Sequence, residues 1–329
     1  MNYRVWCITV SFFMIFFSVS ASQGAFTGNF QLKNGTTVID EAGRHIEIKK
    51  PFKRIISLYG AHTENLFQLG LNKEIIGVTQ QDTYPIQATK KTIYSYHDDP
   101  ERFLAASPDL VLIRPMIDRG YARLMNRLEQ SGITVVSIQP KTIEDMYQYW
   151  LVLGALTGKK EEAHRMIQQF KDAVKKFQAL SKKVKKPKKV YFEAMHKNMK
   201  TFTRGSMADF VLTTAGGINV AADGLSSRGT NIAIYGKEKI LSKADDIDVF
   251  LAQTGKMNRP TVELIKNEPG FSTIKAVKNN EIYMIDEKIV SRPTMRLLKG
   301  IFRVGHLLYP GIFNQNAKQR ILGNYYATQ

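Results

Sequence analysis

The sequence predicts an α/β fold with two Rossmann-like αβ lobes, each with a central, mainly parallel sheet, joined by one long connecting helix. Three observations carry that expectation. Short strands that are apolar throughout alternate with helix-patterned segments, as in a parallel sheet covered on both faces. One long amphipathic run, 159–184, stands mid-chain. The segments on either side of it share a pattern. At 329 residues the chain also exceeds what one core fills, since single cores stop growing near about 250–300 residues.

The elements follow in order. Residues 1–24 read as a secretory signal peptide: Arg4 gives a positive start, 5–19 is almost wholly apolar, and small residues offer cleavage between Ala21 and Ala25. The run is short for a membrane anchor, which needs about 20 apolar residues. The only cysteine, Cys7, lies inside the leader and outside any lipoprotein cysteine motif, so the exported chain has no disulfide and no thiolate metal ligand. A soluble periplasmic protein is expected.

The first lobe is assigned to 25–158. "TTVIDEAGRHIEIKK" holds two β-rich runs around Asp40-Glu41-Ala42-Gly43, a hairpin signal. "RIISLYG" is a strand, and "HTENLFQLGL" a helix with Thr63 as its expected cap and Glu64 in its first turn. "EIIGVT" is a second strand; "PERFLAASPDLVLI" and "YARLMNRLEQSGITVVSI" each read as helix, turn and strand. "TIEDMYQYWLVLGALTG" is a helix that stops at Gly158. In the connector, Ala163, Met166, Ile167, Phe170, Val174, Phe177 and Leu180 form one apolar stripe that ends before Pro187.

The second lobe, 185–329, begins with the strand "VYFEAM". There "GKEKILSKADDIDVFLA" answers "PERFLAASPDLVLI": a first-turn glutamate (Glu238, Glu101), apolar residues, a bend, and an aspartate (Asp248, Asp109) entering a strand. "AGGINVA" stops a helix before it, and "PGFSTIKAVKNNEIYMID" gives a turn, a short helix and a last strand. "DEKIVSRPTMRLLKG" is a strand-to-helix turn with Pro293 starting the helix and Ser291 and Thr294 available as caps.

Composition excludes little but points somewhere. Apolar residues make up 43% and charged residues 23%, ordinary values, whereas a net charge of +18 suggests an anionic ligand, lipid headgroups or nucleic acid. No nucleic-acid module is visible, and the lysines of 182–189 read as a solvated helix end at the negative pole of its dipole. No nucleotide-binding glycine loop, zinc-protease motif, nucleophile elbow or paired CxxC occurs.

Ligands of open αβ sheets bind beyond the carboxyl ends of the strands. The residues there are Tyr59, His62, Tyr84, Tyr96, Arg114, Met195, His196, Tyr235, Arg259, Arg292 and Arg296, the candidate ligand-binding set. Arg292 and Arg296 stand out, because cations at a helix start oppose the dipole and call for an anion.

Taken in order and spacing, "VIDEAGRHIEI…PFKRIISLYGAHTENLFQLGLNKEIIGVT", "PERFLAASPDLVLI", "AGGINVA" and "NNEIYMIDEKIVSRPTMRLLKGI" resemble the periplasmic substrate-binding proteins of ABC importers for ferric siderophores, haem and cobalamin. The resemblance spans essentially all of the exported chain. It implies a non-enzymatic, monomeric carrier with no cofactor and no resident metal, delivering an iron complex to membrane permease subunits. It also implies that Glu101 and Glu238, one per lobe, pair with arginines of the permease. Tryptophans common in the family's clefts are missing here; Tyr84, Tyr96 and Tyr235 are the substitutes. A ferric siderophore leads. Haem, cobalamin, a bare metal ion on His62, His97, His196 and a carboxylate, a small oxyanion, and a secreted enzyme stand as alternatives.

Overall fold

The computed structural model of the protein describes residues 30–226, 229–256 and 258–326. The expected leader, with Cys7 and the expected cleavage sites, falls outside the described residues, as does Met257. Among the described residues no helix is long and apolar enough to cross a membrane.

A small antiparallel sheet comes first: β1 (Gln31–Lys33), β2 (Thr37–Ile39) and β3 (His45–Glu47) pair in that order, with Val38 opposite Leu32 and Ile46. Its turn is built by Asp40. The buried carboxylate accepts from the backbone N–H groups of Ala42 and Arg44, and also from Ser137, each at 2.9 Å. Arg44 then ties the hairpin to the first lobe with a two-pronged bond to Asp118 at 2.7 and 2.9 Å and a third to Glu129 at 2.7 Å.

The first large sheet has five parallel strands: β4 (Ile55–Ser57), β5 (Ile75–Val78), β6 (Thr92–Ile93), β7 (Leu110–Ile113) and β8 (Thr134–Ser137), in spatial order β6-β5-β4-β7-β8. Every residue of β4 and β7 is buried, which explains their uninterrupted apolar runs. The second large sheet holds β9 (Lys189–Met195), β10 (Lys200–Phe202), β11 (Ile218–Asn219), β12 (Ile232–Ile234), β13 (Val249–Thr254) and β14 (Ile282–Asp286). Its order is β12-β10-β9-β13-β14; β9, β13 and β14 run parallel, β10 is antiparallel to its neighbours, and β11 pairs with the first residues of β9. The α/β class and the mainly parallel sheets are as the alternation predicts. The β10 hairpin is an addition, too short to leave a period in the sequence.

Between the sheets lie the helices Ile143–Thr157 and Lys160–Ser181. Thr142 caps the first through a capping box with Asp145, and Gly158 ends it at φ 72°, a left-handed value that glycine adopts freely. The second is the expected connector, slightly shorter than the predicted 159–184. Its stripe is buried as predicted, apart from half-buried Ile167. The core on this side runs continuously from Val38 and Leu112 through Trp150, Phe170 and Phe177 to Phe192, Ile301 and Phe313 of the second lobe. A core shared by both lobes and the connector resists bending.

Candidate functional site

The carboxyl ends of β4, β5 and β7 deliver one wall of the site. β4 runs into Tyr59, whose extended backbone starts the helix Gly60–Gln68. Thr63 therefore lies inside that helix and does not cap it, contrary to the sequence reading. Its hydroxyl instead sits 2.7 Å from both Ser57 and the buried carboxylate of Asp82. Asp82 also accepts from the Thr79 amide at 3.0 Å and the Thr79 hydroxyl at 2.9 Å. Burial raises its pKa, and these bonds oppose the rise.

The opposite wall comes from the second lobe, beyond β14. The sequence places a helix start at Pro293, but the structure puts a short helix at Glu287–Val290, capped by Asp286, and the next helix at Leu297–Leu308. Residues 291–296 between them are held by tertiary bonds. Pro293 gives its carbonyl to Asn65 at 2.9 Å, and Ser291 donates to Gln253. Arg292 and Arg296 accordingly lie in this turn and at the helix cap, rather than on one face of a helix start.

Both arginines reach across to the first lobe and meet Glu64. Arg292 Nη1 lies 3.1 Å from Glu64 Oε1; Arg296 grips the carboxylate with Nε at 2.9 Å and Nη2 at 3.0 Å. The Glu64 side chain is 4% exposed and each arginine 13%, so all three side chains are largely removed from solvent. Burial raises the pKa of Glu64 against the pull of Arg296 and Arg292. Gly60 makes the approach possible, because a Cβ there would strike the Arg292 guanidinium and Asp82. Arg296 also lies over the Tyr84 ring, 4.5 Å from its centroid, and Lys288 donates to Thr83 at 3.1 Å.

Arg114 completes the cationic group. It stacks 5.1 Å from the Tyr59 centroid, and its buried Nε has no hydrogen-bond partner. Burial raises the Tyr59 pKa, while Arg114 and Arg292 both lower it. Three guanidinium groups from two lobes thus gather around two tyrosines at the carboxyl edges of the sheets.

Residues 55–289 match the family described as periplasmic binding protein. The chain belongs to the periplasmic binding protein family. It is similar to YvrC of Bacillus subtilis (strain 168), described as an ABC transporter substrate-binding lipoprotein, at 26% identity over 85% of this chain and 87% of that one. A vitamin B12-binding protein of Vibrio cholerae is 23% identical over 78% of this chain and 90% of its own. Among solved structures, a possible iron-binding periplasmic solute-binding protein from Staphylococcus epidermidis superposes with a TM-score of 0.69 at 27% identity, covering 79% of this chain and 100% of the other. The family consists of binding proteins, not enzymes.

Within this periplasmic binding protein, the remaining sequence candidates fall in different places. His62 is fully buried, 2.6 Å from the Tyr149 hydroxyl and 3.0 Å from the Ile113 carbonyl, and supports the wall from behind. His196 is bonded at 2.8 Å to buried Glu193 of the preceding strand. Among the described residues, no three His, Cys, Asp or Glu side chains are placed to hold a metal ion. Tyr96 joins His97 and Tyr121 in an aromatic group with centroids 4.6–5.0 Å apart. Met195 is half-buried at the end of β9, and Arg259 is exposed. Tyr235 is 6% exposed, packed on Tyr191 and bonded through its hydroxyl to Asp223 at 2.8 Å, which leaves it little surface to offer a ligand. Glu101 and Glu238 are exposed in the first turns of Pro100–Ala106 and Lys237–Leu241. Glu64 is read from sequence only as a first-turn glutamate, and Asp82 as a strand-end residue outside the candidate ligand-binding set.

Proposed function

We propose that this protein captures an iron complex, a ferric siderophore, between its lobes in the periplasm and delivers it to the permease of an ABC importer. The observation that carries this reading is the cationic group itself. Arg292 and Arg296 face Glu64, Arg114 lies over Tyr59 nearby, and flat tyrosine rings lie beneath two of the three guanidinium groups. Such a surface suits a bulky chelate that carries anionic oxygens and apolar faces. His62 and His196 are engaged within their own lobes, so the cleft offers guanidinium rather than imidazole. That favours a preassembled chelate over a bare metal ion or a histidine-ligated haem.

Delivery is assigned to Glu101 and Glu238, two exposed carboxylates at the carboxyl edges of the two sheets. The test joins both halves of the proposal. Protein purified from its native periplasm should carry the visible charge-transfer band of a ferric siderophore, and Arg114→Gln should weaken the chelate by about tenfold or more, the worth of a charge-assisted bond. Glu101→Ala with Glu238→Ala should abolish uptake and leave affinity intact. A Soret or corrin spectrum would replace the ligand, and a loss of affinity in the double variant would remove the docking role.

A further inference from the structure

The Glu64–Arg292–Arg296 group has an asymmetry that the capture reading does not use. Glu64 engages Arg292 through Nη1 alone and Arg296 through Nε and Nη2. That leaves the remaining N–H groups of both side chains outside the bonds to Glu64, and the arginine side chains, 13% exposed each, keep more surface in solvent than the 4% exposed carboxylate. We propose that Glu64 is a positioning and charge-setting residue: it aims the free edges of Arg292 and Arg296 into the cleft and cancels one of their two charges, so that the pair selects a singly charged acid group over a dianion. This inference rests on the cleft being the ligand site, and it adds which charge state that site accepts.

The physical argument has two parts. Two guanidinium groups held side by side repel one another, and a carboxylate forked between them is what allows both to point the same way. A buried carboxylate close behind the arginines also opposes every anion that approaches them. It opposes a dianion twice as strongly as a monoanion, since Coulomb energy scales with the product of charges. Sequence position offers no hint of this, because Glu64 lies 228 and 232 residues from its two partners.

The other titratable groups around Glu64 do not take over its role. Tyr59, Tyr84 and Tyr149 have pKa values raised by burial and stay neutral at ordinary pH. His62, which feels Arg114, stays neutral down to about pH 4. Asp82 is bonded to Thr63 and Thr79 and feels Arg292 only through space, and Glu287 packs against Gly255 of its own lobe and acts on Tyr59; neither bonds to either arginine. Glu64 is thus the carboxylate bonded to both arginines.

Sulfate and nitrate are suitable probes, because neither changes charge between about pH 4 and pH 8. Their affinities would be measured by calorimetry on the wild type and on Glu64→Gln, which keeps the shape and one acceptor. Glu64→Gln should raise the ratio of sulfate to nitrate affinity about tenfold, a shift of the size one charge produces at a partly screened site. If that variant does not fold, Glu64→Asn supplies the same answer, since it removes the same charge on a shorter side chain. An unchanged ratio in the folded variant, or no anion binding in either protein, would overturn the proposal. Failure to bind a ferric siderophore with the ratio shift intact would instead sink the chelate reading and leave Glu64 its role.

Discussion

Each lobe buries a histidine just beyond its central strand, His62 after β4 and His196 after β9, and their surroundings push them in opposite directions. His62 meets a carbonyl and a phenol. The Ile113 carbonyl can only accept, so Nε2 donates to it and Nδ1 accepts from Tyr149, which fits the neutral ring. Burial lowers its pKa to about 4. His196 is nearly as buried, but Glu193 lies 2.8 Å from Nδ1 and Glu268 3.5 Å from Nε2, within ion-pair reach. The bond to Glu193 outweighs desolvation and raises its pKa. Depth alone therefore does not set the charge of a buried histidine; the nearest partner does.

The contrast breaks most sharply in acid. His62 is neutral in the fold and gains a proton near pH 6.5 when unfolded, so its contribution is present above pH 6.5 and lost as pH falls toward 4. Over that window the loss is about 3 kcal/mol. Urea unfolding at pH 7 and pH 4 should show His62→Gln losing about 3 kcal/mol less than the wild type. Equal losses would mean that the ring is charged in the fold. His196 runs the other way. Its raised pKa makes the charged pair stabilising below pH 6.5, and that stability is lost as pH rises through the folded value. Between about pH 6 and pH 9 the wild type should lose about 1 kcal/mol that His196→Gln does not, allowing for screening by water. A stability that rises over that range through His196 would contradict the Glu193 pairing.

Much of this molecule is legible from short windows. β4, β7 and the start of β13 are apolar because both faces are covered, and the connector shows its stripe because one face packs on the shared core. The candidate site is less legible. Tyr59, Arg114, Arg292 and Arg296 follow from the rule that ligands meet carboxyl edges, but Glu64 reads locally as an ordinary first-turn glutamate. Pro293 reads as a helix start, yet its carbonyl is claimed by Asn65 from the other lobe. Tyr235 reads as a cleft wall, and the β10–β12 pairing turns it toward Tyr191 and Asp223 instead. In each case the deciding partner lies outside the window in which the residue is read.

Where the lobes agree, the test is finer. Asp109 and Asp248, matched in the sequence, perform matched tasks. Asp109 receives the backbone N–H groups of Lys53 and Arg54 at 2.8 Å each, just before β4. Asp248 receives that of Lys189 at 2.8 Å, at the start of β9, and its second oxygen takes Lys275 at 2.7 Å. Each aspartate thus holds the start of the neighbouring central strand, satisfying donors that precede the sheet ladder. An asparagine keeps one acceptor oxygen and replaces the other with a donor. Asp109→Asn must therefore abandon one backbone N–H and should cost about 1 kcal/mol in urea unfolding. Asp248→Asn can keep its single backbone bond and gives up only an exposed ion pair, so its cost should be smaller. Equal costs would mean that the Lys275 pair matters as much as a backbone bond, and the reverse order would mean that the two aspartates are alike in sequence only.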